Sequence, residues 1–538
     1  MTDGEKIFKQ FREHSVAEFF KKNRQMLGFT GKVRSLTMIV HEFVTNGLDA
    51  AEEAGILPDI FVKVEELGDE HYRLTIRDNG PGIPKKHLGK ALGQMLAGTK
   101  FHRFIQQRGQ QGIGASACVM FSYITTGTSA QVVSCSGNMR YSCSIGIDFK
   151  TNSPVIKDLV EEETEDHGLT VVSEYKEVKY ERSNKGVFEY LRRTALANPH
   201  CSITLEEPSG ENTVFPRSVE KNPAKPYEIK PHPMGVGPHD LLELCRQPGE
   251  NRKLSAFLQN TFSRMSANKV SELRELAPGV DFDKRPEKLE WSEAEAVVKA
   301  FQQVKWIAPP TDSLVPIGKE QIEISFQNIF NPEIMMVTGR SPKIYRGGIP
   351  FSVEVGIAYG GGVRDAGKRG EVMRFANKVP LLFDTGGCAI TETVKGMDWK
   401  RYNLKNFEEE PVAVLVNLVS VHVPFTSAGK QAISHEEDVM DEIKFALMEA
   451  SRGIQRYLSG KRKANEIASK KKVVSRYVKQ ISSDLAILTG GKKSEIEKKL
   501  TEIINEKYVK AKPSKEEDEL PTRGEAEPEE DAREGDEE

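Results

Sequence analysis

The sequence predicts an α+β protein in which helices cover one face of an antiparallel sheet. The first indication is an amphipathic helical pattern at residues 34–54, which Gly55 and Pro58 bring to an end. The second is a series of strand-like runs after it, at residues 60–65, 72–77, 120–125, 130–135, 140–147 and 169–175. The third is the length of 538 residues, which is typical of about three domains.

The rest of the chain divides into further units. Residues 217–238 are rich in proline and lysine, which indicates a linker. A compact helical pattern follows at 240–304, and a third unit begins near Trp306. Its strand-like runs lie at residues 321–327, 334–338, 351–359 and 412–423, before a long helix at 435–457. Residues 461–510 are lysine-rich and permit helix except at one Gly-Gly pair.

The net charge of −3 conceals an asymmetry. Residues 512–538 hold 13 acidic and 4 basic side chains, a balance of −9, which leaves +6 on the other 511 residues. A mildly basic body tolerates a polyanionic partner without proving one. The acidic tail has no apolar periodicity, so we expect it to be disordered.

Other features limit the class of protein. No apolar stretch reaches the ~18 residues that a membrane span needs, and residues 1–22 lack the apolar core of a signal peptide. We therefore expect a cytoplasmic protein with no membrane partner. The six cysteines contain no C-x-x-C pair, which argues against zinc and disulfides and predicts buried, reduced thiols.

The helix at 34–54 carries Glu42 and Asn46, which are four residues apart and leave the same helix face. A carboxylate there can accept a proton from an attacking water. The amide oxygen of Asn46 can bind Mg²⁺ that bridges phosphates. The alternative is the ordinary exposed face of an amphipathic helix.

A turn follows the strand-like run at 72–77. Asp78 at the strand end can accept a hydrogen bond from the exocyclic amine of adenine, and Gly80 and Gly82 let the backbone pass close to the base. A plain tight turn remains the alternative, because D-N-G-P-G is turn chemistry in any case.

The third motif is a glycine loop that precedes a helix-compatible run at 115–121. Backbone N–H groups at such a loop bind phosphates. Its predicted contacts are Gly109, Gln110, Gln111, Gly112, Ile113, Gly114, Ala115 and Ser116. It lacks both the G-K-[ST] ending of a Walker loop and the βαβ context of a dinucleotide fingerprint, and alone it is weak. Thr99 and Lys100 lie before it, in a candidate lid.

The fourth motif is Thr170, in a β-branched strand that begins after Gly168. Its hydroxyl can bind a water or Asp78 beside the adenine. The alternative is a plain strand threonine.

The order and spacing of these four motifs resemble the GHKL ATPases, a superfamily that includes type II topoisomerases, MutL-type repair proteins, ninety-kilodalton heat-shock chaperones and histidine kinases. The resemblance implies a Bergerat α/β sandwich that binds and hydrolyses ATP with Mg²⁺. Gly168 and Thr170 are separated by one residue where many members have the two adjacent, which makes Thr170 the least secure of these residues.

Within that superfamily the chain resembles the B subunits of DNA topoisomerase VI over nearly its whole length. Residues 15–23 are similar to their N-terminal strap, and Pro231-His232-Pro233 leads into a block similar to their helix-two-turn-helix insert. Trp399-Lys400-Arg401-Tyr402 is similar to their W-K-x-Y element. Lys430 ends a loop that follows a buried strand, as does their γ-phosphate lysine.

Two of these features also have a chemistry of their own. A lysine on a glycine-hinged loop can pair with a terminal phosphate, but without the resemblance a plain surface lysine is the favoured interpretation of Lys430. Trp399, Lys400 and Tyr402 mix aromatic and cationic groups, which suits either DNA contact or a partly buried surface loop. The lysines at 461–472 could face DNA, but a solvated helix is favoured.

The resemblance implies an A2B2 heterotetramer with the A subunit, an ATP-dependent homodimer of this chain, and capture of double-stranded DNA for passage that relaxes supercoils. DNA cleavage would reside in the A subunit, since this chain has no Toprim-like E-G-x-S plus D-x-D set. A nucleoid-associated location follows. The alternatives are GHKL ATPases of other kinds: a mismatch-repair clamp, a chaperone or a histidine kinase.

The resemblance also suggests domain boundaries. We expect a GHKL ATP-binding domain with its strap at 1–228 and a helix-two-turn-helix domain at 229–306. A transducer domain of ribosomal S5 domain 2-like fold, ending in a long helix, would follow at 307–470. A basic helical segment at 471–511 and the acidic tail at 512–538 would complete the chain.

Overall fold

The computed structural model describes residues 15–98, 104–109, 112–246, 253–365, 369–427 and 429–509. Four predicted site residues, Thr99, Lys100, Gln110 and Gln111, lie outside these ranges, as does the acidic tail at 512–538. The chain forms two compact units, Met1–Ile454 and Gln455–Glu538. All of the expected domain boundaries stay predictions.

The N-terminal part of the first unit is a mixed α+β layer. Its helices are α1 (Val16–Lys22), α2 (Lys32–Ala54), α3 (Lys85–Gly93), α4 (Gly114–Thr126) and α5 (Val187–Ala197). Its strands are β1 (Asp59–Gly68), β2 (His71–Asp78), β3 (Ala130–Ser136), β4 (Met139–Asp148), β5 (Ser153–Glu163), β6 (Gly168–Lys176), β7 (Ser202–Glu206) and β8 (Asn212–Phe215).

Among the described residues these strands form one eight-stranded sheet in the order β5-β4-β3-β6-β2-β1-β7-β8. All neighbours pair antiparallel except β1 and β7, which are parallel. Helix α2 buries Leu36, Val40 and Val44 in the core against the sheet. This burial keeps α2 beside the end of β2, where the predicted site residues meet.

A helical block follows and has a hydrophobic core of its own, which includes Leu258 and Phe301. Its helices are α6 (Pro238–Arg246), α7 (Leu254–Thr261), α8 (Ala267–Leu276) and α9 (Trp291–Gln303).

The next part contains a second sheet, which has six strands within the described ranges. Its strands are β9 (Ile334–Gly339), β10 (Lys343–Tyr345), β11 (Ile349–Tyr359), β12 (Glu371–Ala376), β13 (Val379–Pro380) and β14 (Val412–Ser420). Its helices are α10 (Lys319–Phe330), α11 (Gly362–Asp365) and α12 (Ala389–Lys395). Strands β11 and β14 form its buried centre, and β12 pairs parallel with β14.

The last helices are α13 (Glu437–Thr489), which is longer than the predicted helix at 435–457, and α14 (Lys493–Val509). The break between them falls at the predicted Gly490-Gly491 pair.

Two strand predictions are wrong. Residues 120–125 belong to helix α4, and residues 321–327 belong to helix α10. The first run was misread because a short apolar segment looks the same in a buried helix and in a buried strand. The prediction for the cysteines is confirmed, since all six are free and buried.

Candidate functional site

A cavity of about 420 Å³ lies between helix α2, the end of strand β2 and the start of helix α4. The structure brings most of the predicted site residues to its wall. These are Glu42, Asn46, Asp78, Gly82, Gly109, Gly112, Ile113, Gly114, Ala115, Ser116 and Lys430.

Glu42 and Asn46 project from the same face of helix α2. Asn46 is the exposed position in an otherwise buried stretch of this helix, and Glu42 keeps 30% of its side chain exposed. His41 Nε2 lies 4.0 Å from Glu42 Oε1. Burial lowers the pKa of His41, with Glu42 opposing this shift and Lys430 adding to it. A neutral imidazole therefore leaves the Glu42 carboxylate available to a water or a phosphate-bound group.

Gly114, the first residue of helix α4, lies directly against the Glu42 carboxylate. A Cβ atom at Gly114 would overlap Glu42 Oε2 and Cδ. Only glycine allows the phosphate-binding turn and this carboxylate to approach so closely. The candidate base and the candidate phosphate loop are thus positioned by one contact.

Asp78 is held at the end of strand β2. Gly80 N donates to Asp78 Oδ1 at 2.9 Å. Burial raises the pKa of Asp78, and the backbone N–H groups of Gly80 and Leu169 oppose the shift. Gly82, with φ of +68°, packs so tightly on the Cys135 carbonyl that no side chain fits. A fixed carboxyl beside a close backbone is suited to recognise the amine edge of a purine.

The glycine loop leads into the first turn of helix α4, where backbone N–H groups have no acceptor within the helix. Ser116 Oγ donates to the carbonyl of Ile113 at 2.9 Å, so the hydroxyl is already bonded to the backbone of this turn. Ser116 therefore offers an anion its backbone N–H. An ideal Cβ on Gly109 would lie 3.8 Å from Asn46 Oδ1, which brings the loop to the candidate metal ligand.

The structure does not bring Thr170 to this cavity, which corrects the prediction. Its strand neighbours Leu169 and Val171 line the wall instead. Side chains alternate along strand β6, so Thr170 faces the opposite side of the sheet.

Lys430 reaches the cavity from the loop that follows strand β14 of the second sheet. Its φ of +50° is unusual for a residue other than glycine. Lys430 N donates to Ser427 O at 3.0 Å, which closes a tight turn. The next residue, Gln431, accepts at Oε1 from the backbone N of Leu382 and of Phe383, both at 3.2 Å, and this fixes the base of the loop.

Sequence reasoning missed Arg108, the residue before Gly109. Its guanidinium contacts Asp49 Oδ1 at 2.7 Å and Glu52 Oε1 at 2.6 Å, and only 7% of its side chain is exposed. The feature that could have predicted a buried arginine is the pair Asp49 and Glu52, two carboxylates three residues apart on helix α2. The apolar wall at Ile76, Leu169 and Val171 was also missed, because strand residues carry no motif.

Of the two interpretations of Trp399 and Tyr402, the structure supports the buried loop and not stacking on DNA. Both side chains are buried, at 5% and 4% exposure. Trp399 stacks on Phe407 with ring centroids 4.7 Å apart and donates to Val394 O at 2.8 Å. The exposed member of the predicted set is Lys400, which can still meet a phosphate backbone.

Neither a preformed metal cluster nor a membrane helix occurs in the part of the chain that the structure describes. These residues contain no group of three or more His, Cys, Asp or Glu side chains arranged to hold a metal ion. Across the same ranges, no helix combines the length and the apolar character that a bilayer crossing demands.

Comparison with known proteins agrees with this geometry. Residues 31–175 match the family model of histidine kinase-, DNA gyrase B- and HSP90-like ATPases. Residues 309–471 match the model of the topoisomerase VI B subunit transducer.

The similar proteins include the B subunit of type 2 DNA topoisomerase 6 from Pyrococcus horikoshii, 44% identical over 94% of this chain and 97% of that protein. The protein of the same name from Methanothermobacter thermautotrophicus is 45% identical over 89% of this chain and 92% of its own. The protein of this name from Thermococcus gammatolerans is 42% identical over 95% of this chain and 98% of its own length.

Proposed function

The chain belongs to the family of type 2 DNA topoisomerase 6 B subunits, and from that premise we propose that its cavity couples ATP hydrolysis to the passage of one DNA duplex through another. One observation carries the proposal: Glu42 and Lys430 line the same cavity although they lie in separate matched domains. A cavity built in this way can report its nucleotide state to the transducer.

The hydrolytic step needs few groups. Glu42 accepts a proton from water as the water oxygen bonds to the γ-phosphorus, and the bond from that phosphorus to the β–γ bridging oxygen breaks. ADP keeps the bridging oxygen. Asp78 selects adenine, and the N–H groups of the Gly112–Ser116 turn hold the phosphates.

Mg²⁺ fits this site. Asn46 offers an exposed amide oxygen next to the glycine loop, the kind of hard donor that this ion accepts. When bound through ATP, the ion neutralises phosphate charge. Asn46 would hold the ion, while Lys430 would add a second positive charge at the terminal phosphate.

The partners follow from the family. We propose an A2B2 assembly with an A subunit that cleaves DNA, in which two copies of this chain dimerise on ATP and close over the transported duplex. Lys430 contacts the γ-phosphate only before hydrolysis, so phosphate loss allows the transducer to rotate. Supercoil relaxation is the net result. Lys400 is the candidate DNA contact of the transducer.

Replacement of Glu42 tests the proposal. Glu42→Ala should bind ATP and dimerise yet lose turnover by about 10²- to 10⁴-fold, because only the proton acceptor is removed. Phosphate release and analytical ultracentrifugation measure the two properties. Glu65→Ala, on strand β1 outside the cavity and with 36% of its side chain exposed, is the matched control and should behave as wild type. Unchanged turnover in Glu42→Ala would remove Glu42 from the role of base.

A second experiment tests the assembly. The chain and an A subunit of the same family should co-purify, and the complex should relax supercoiled plasmid only with ATP. Failure to co-purify at low salt would count against the topoisomerase and favour a clamp or chaperone that needs no such partner.

A further inference from the structure

Residues 104–108, here called the bracing segment, lie directly before Gly109 of the glycine loop. On one side they contact the part of the chain that matches the transducer. Gln106 Oε1 accepts from Val315 N at 2.6 Å, and Gln106 Nε2 donates to Val315 O at 2.9 Å. The carbonyl of Gln107 accepts from Asn377 Nδ2 at 3.1 Å. Gln106 is only 7% exposed, so water does not replace these bonds easily.

On the other side, Arg108 holds the segment to the ATPase domain. Its guanidinium forms a two-pronged pair with Glu52, at 2.6 and 2.9 Å, and also donates to Asp49 and to Asn198 at 2.7 Å each. Although burial raises the pKa of Glu52, Arg108 beside it holds that pKa well below its usual range. Forked contacts of this kind fix orientation as well as distance.

These contacts bear on the nucleotide cavity through helix α2. Asp49 and Glu52 lie on the same helix as Glu42 and Asn46. Because Gly109 comes directly after Arg108 and next to Asn46 Oδ1, a shift of the guanidinium moves the loop relative to that side chain.

The transducer side of the bracing segment connects to the strand that precedes Lys430. Asn377 Nδ2 also donates to Ser420 O at 2.9 Å, and Ser420 N donates to Asn377 Oδ1 at 2.9 Å. Ser420 ends strand β14, from which the chain continues to the Lys430 loop. Movement of this strand end can therefore reach the nucleotide cavity in two ways. One is through the Lys430 loop, and the other is through Asn377 and the bracing segment.

We propose that the bracing segment is a second coupling route between transducer and nucleotide, in which Gln106 and Asn377 relay the position of the transducer and Arg108 is the positioning residue that sets the glycine loop. The inference rests on the proposed function and deepens it. Coupling is reciprocal, so nucleotide bound at the loop must also change the strength of the Gln106–Val315 contact.

Hydrogen exchange of the Val315 amide tests this, since that N–H donates directly to Gln106. In the full chain, a non-hydrolysable ATP analogue should slow its exchange about tenfold relative to ADP. Gln106→Met, similar in size but unable to form the two bonds, should abolish this difference. It should also raise KM for ATP about tenfold while kcat changes less than about threefold. Gln106→Asn, too short to reach Val315, is the second variant.

Three further variants distinguish an effect of the bracing segment from a general loss of stability and from an effect of Lys430. Arg108→Lys loses the fork and should raise KM as Gln106→Met does. Arg193→Lys weakens another ion pair to the transducer, with Glu371, and should leave both KM and the Val315 response intact. Lys430→Ala should retain the response.

Three results overturn the inference. The nucleotide-dependent change in Val315 exchange could survive in Gln106→Met, or it could vanish in Lys430→Ala. Arg193→Lys and Arg108→Lys could also change KM and the Val315 exchange to the same extent. Absence of ATP turnover in the wild type contradicts the proposed function itself. If the wild type hydrolyses ATP but the exchange rate of the Val315 amide is the same with the ATP analogue and with ADP, only the second coupling route is contradicted.

Discussion

Single contacts position the chemistry of the cavity, and one of them lies between Gly114 and the Glu42 carboxylate. One methyl group there would meet the carboxylate oxygen without straining the backbone, because Gly114 has an ordinary helical conformation. The side chain that must yield is the candidate base itself. This makes the position a sensitive probe of how accurately Glu42 must lie.

Gly114→Ala should therefore lower kcat by about a hundredfold, the scale expected when a catalytic group is displaced by about 1 Å. Steady-state phosphate release measures it. Gly279→Ala, at a glycine with open space around it, is the control and should leave kcat unchanged. Wild-type turnover in Gly114→Ala would mean that Glu42 tolerates displacement and is not the base.

Lys378 lies buried between the two matched domains, and burial lowers the pKa of its ammonium group to about 8, with Arg108 adding to the shift and Glu52 and Glu354 opposing it. Between that value and the ordinary 10.5 the unfolded chain binds more protons, so stability should rise as pH rises through this window. Lys378→Met should remove the rise and add about 3 kcal/mol at pH 7.

Urea unfolding at neutral and alkaline pH measures both effects, with exposed Lys400→Met as the control. A Lys378→Met chain that is less stable than wild type at neutral pH would show that the charge is needed where it lies.

Residue spacing predicted part of the site well and part of it badly. Glu42 and Asn46 were found because helical spacing fixes their common face. Thr170 was misplaced because the choice of strand face depends on the sheet register, which is set by long-range pairing. Trp399 and Tyr402 were misread because an aromatic beside a cation looks the same whether it is exposed or packed in a core.

At the scale of elements, helix α10 shows where periodicity misleads. Residues 321–327 alternate apolar and polar as a strand would, yet the chain there is helical. Ile322, Phe326 and Phe330 share one buried face, four residues apart, while Ile324 is 39% exposed. The sequence fits both the alternation of a strand and the four-residue spacing of a helix, and tertiary packing determines that the helix forms.

A helix and a strand at residues 321–327 predict different effects of substitutions on the free energy of unfolding. Phe326→Ala should cost about 3–5 kcal/mol, because a large buried side chain is removed. Ile324→Lys should stay within about 0.5 kcal/mol of wild type, because that position faces water. Denaturant unfolding measures both. A strand would bury Ile324 with Phe326, so a large loss in Ile324→Lys contradicts the helical assignment.

At the scale of the whole molecule, charge is distributed unevenly along the chain. Removal of residues 512–538 changes the net charge from −3 to +6. Non-specific DNA binding depends on such charge and weakens steeply with salt. The truncated chain should therefore bind duplex DNA more tightly than the full chain, by roughly tenfold near 50 mM salt, with the difference shrinking near 200 mM.

Fluorescence anisotropy with a labelled duplex measures this. The control is a full-length chain in which the acidic residues of the tail become their amides; it should bind as tightly as the truncated chain. If the amidated tail still weakens binding, its length rather than its charge is responsible.

The left-handed backbone of Lys430 has a consequence for the direction of the cycle. A side-chain-bearing residue in that conformation is roughly 1–2 kcal/mol above its relaxed state, and bonds from its neighbours must hold it there. In the proposed cycle, contact with the γ-phosphate would add to that hold, and its loss on hydrolysis would leave fewer bonds to keep the loop strained. The return of the loop would then need no second input of energy.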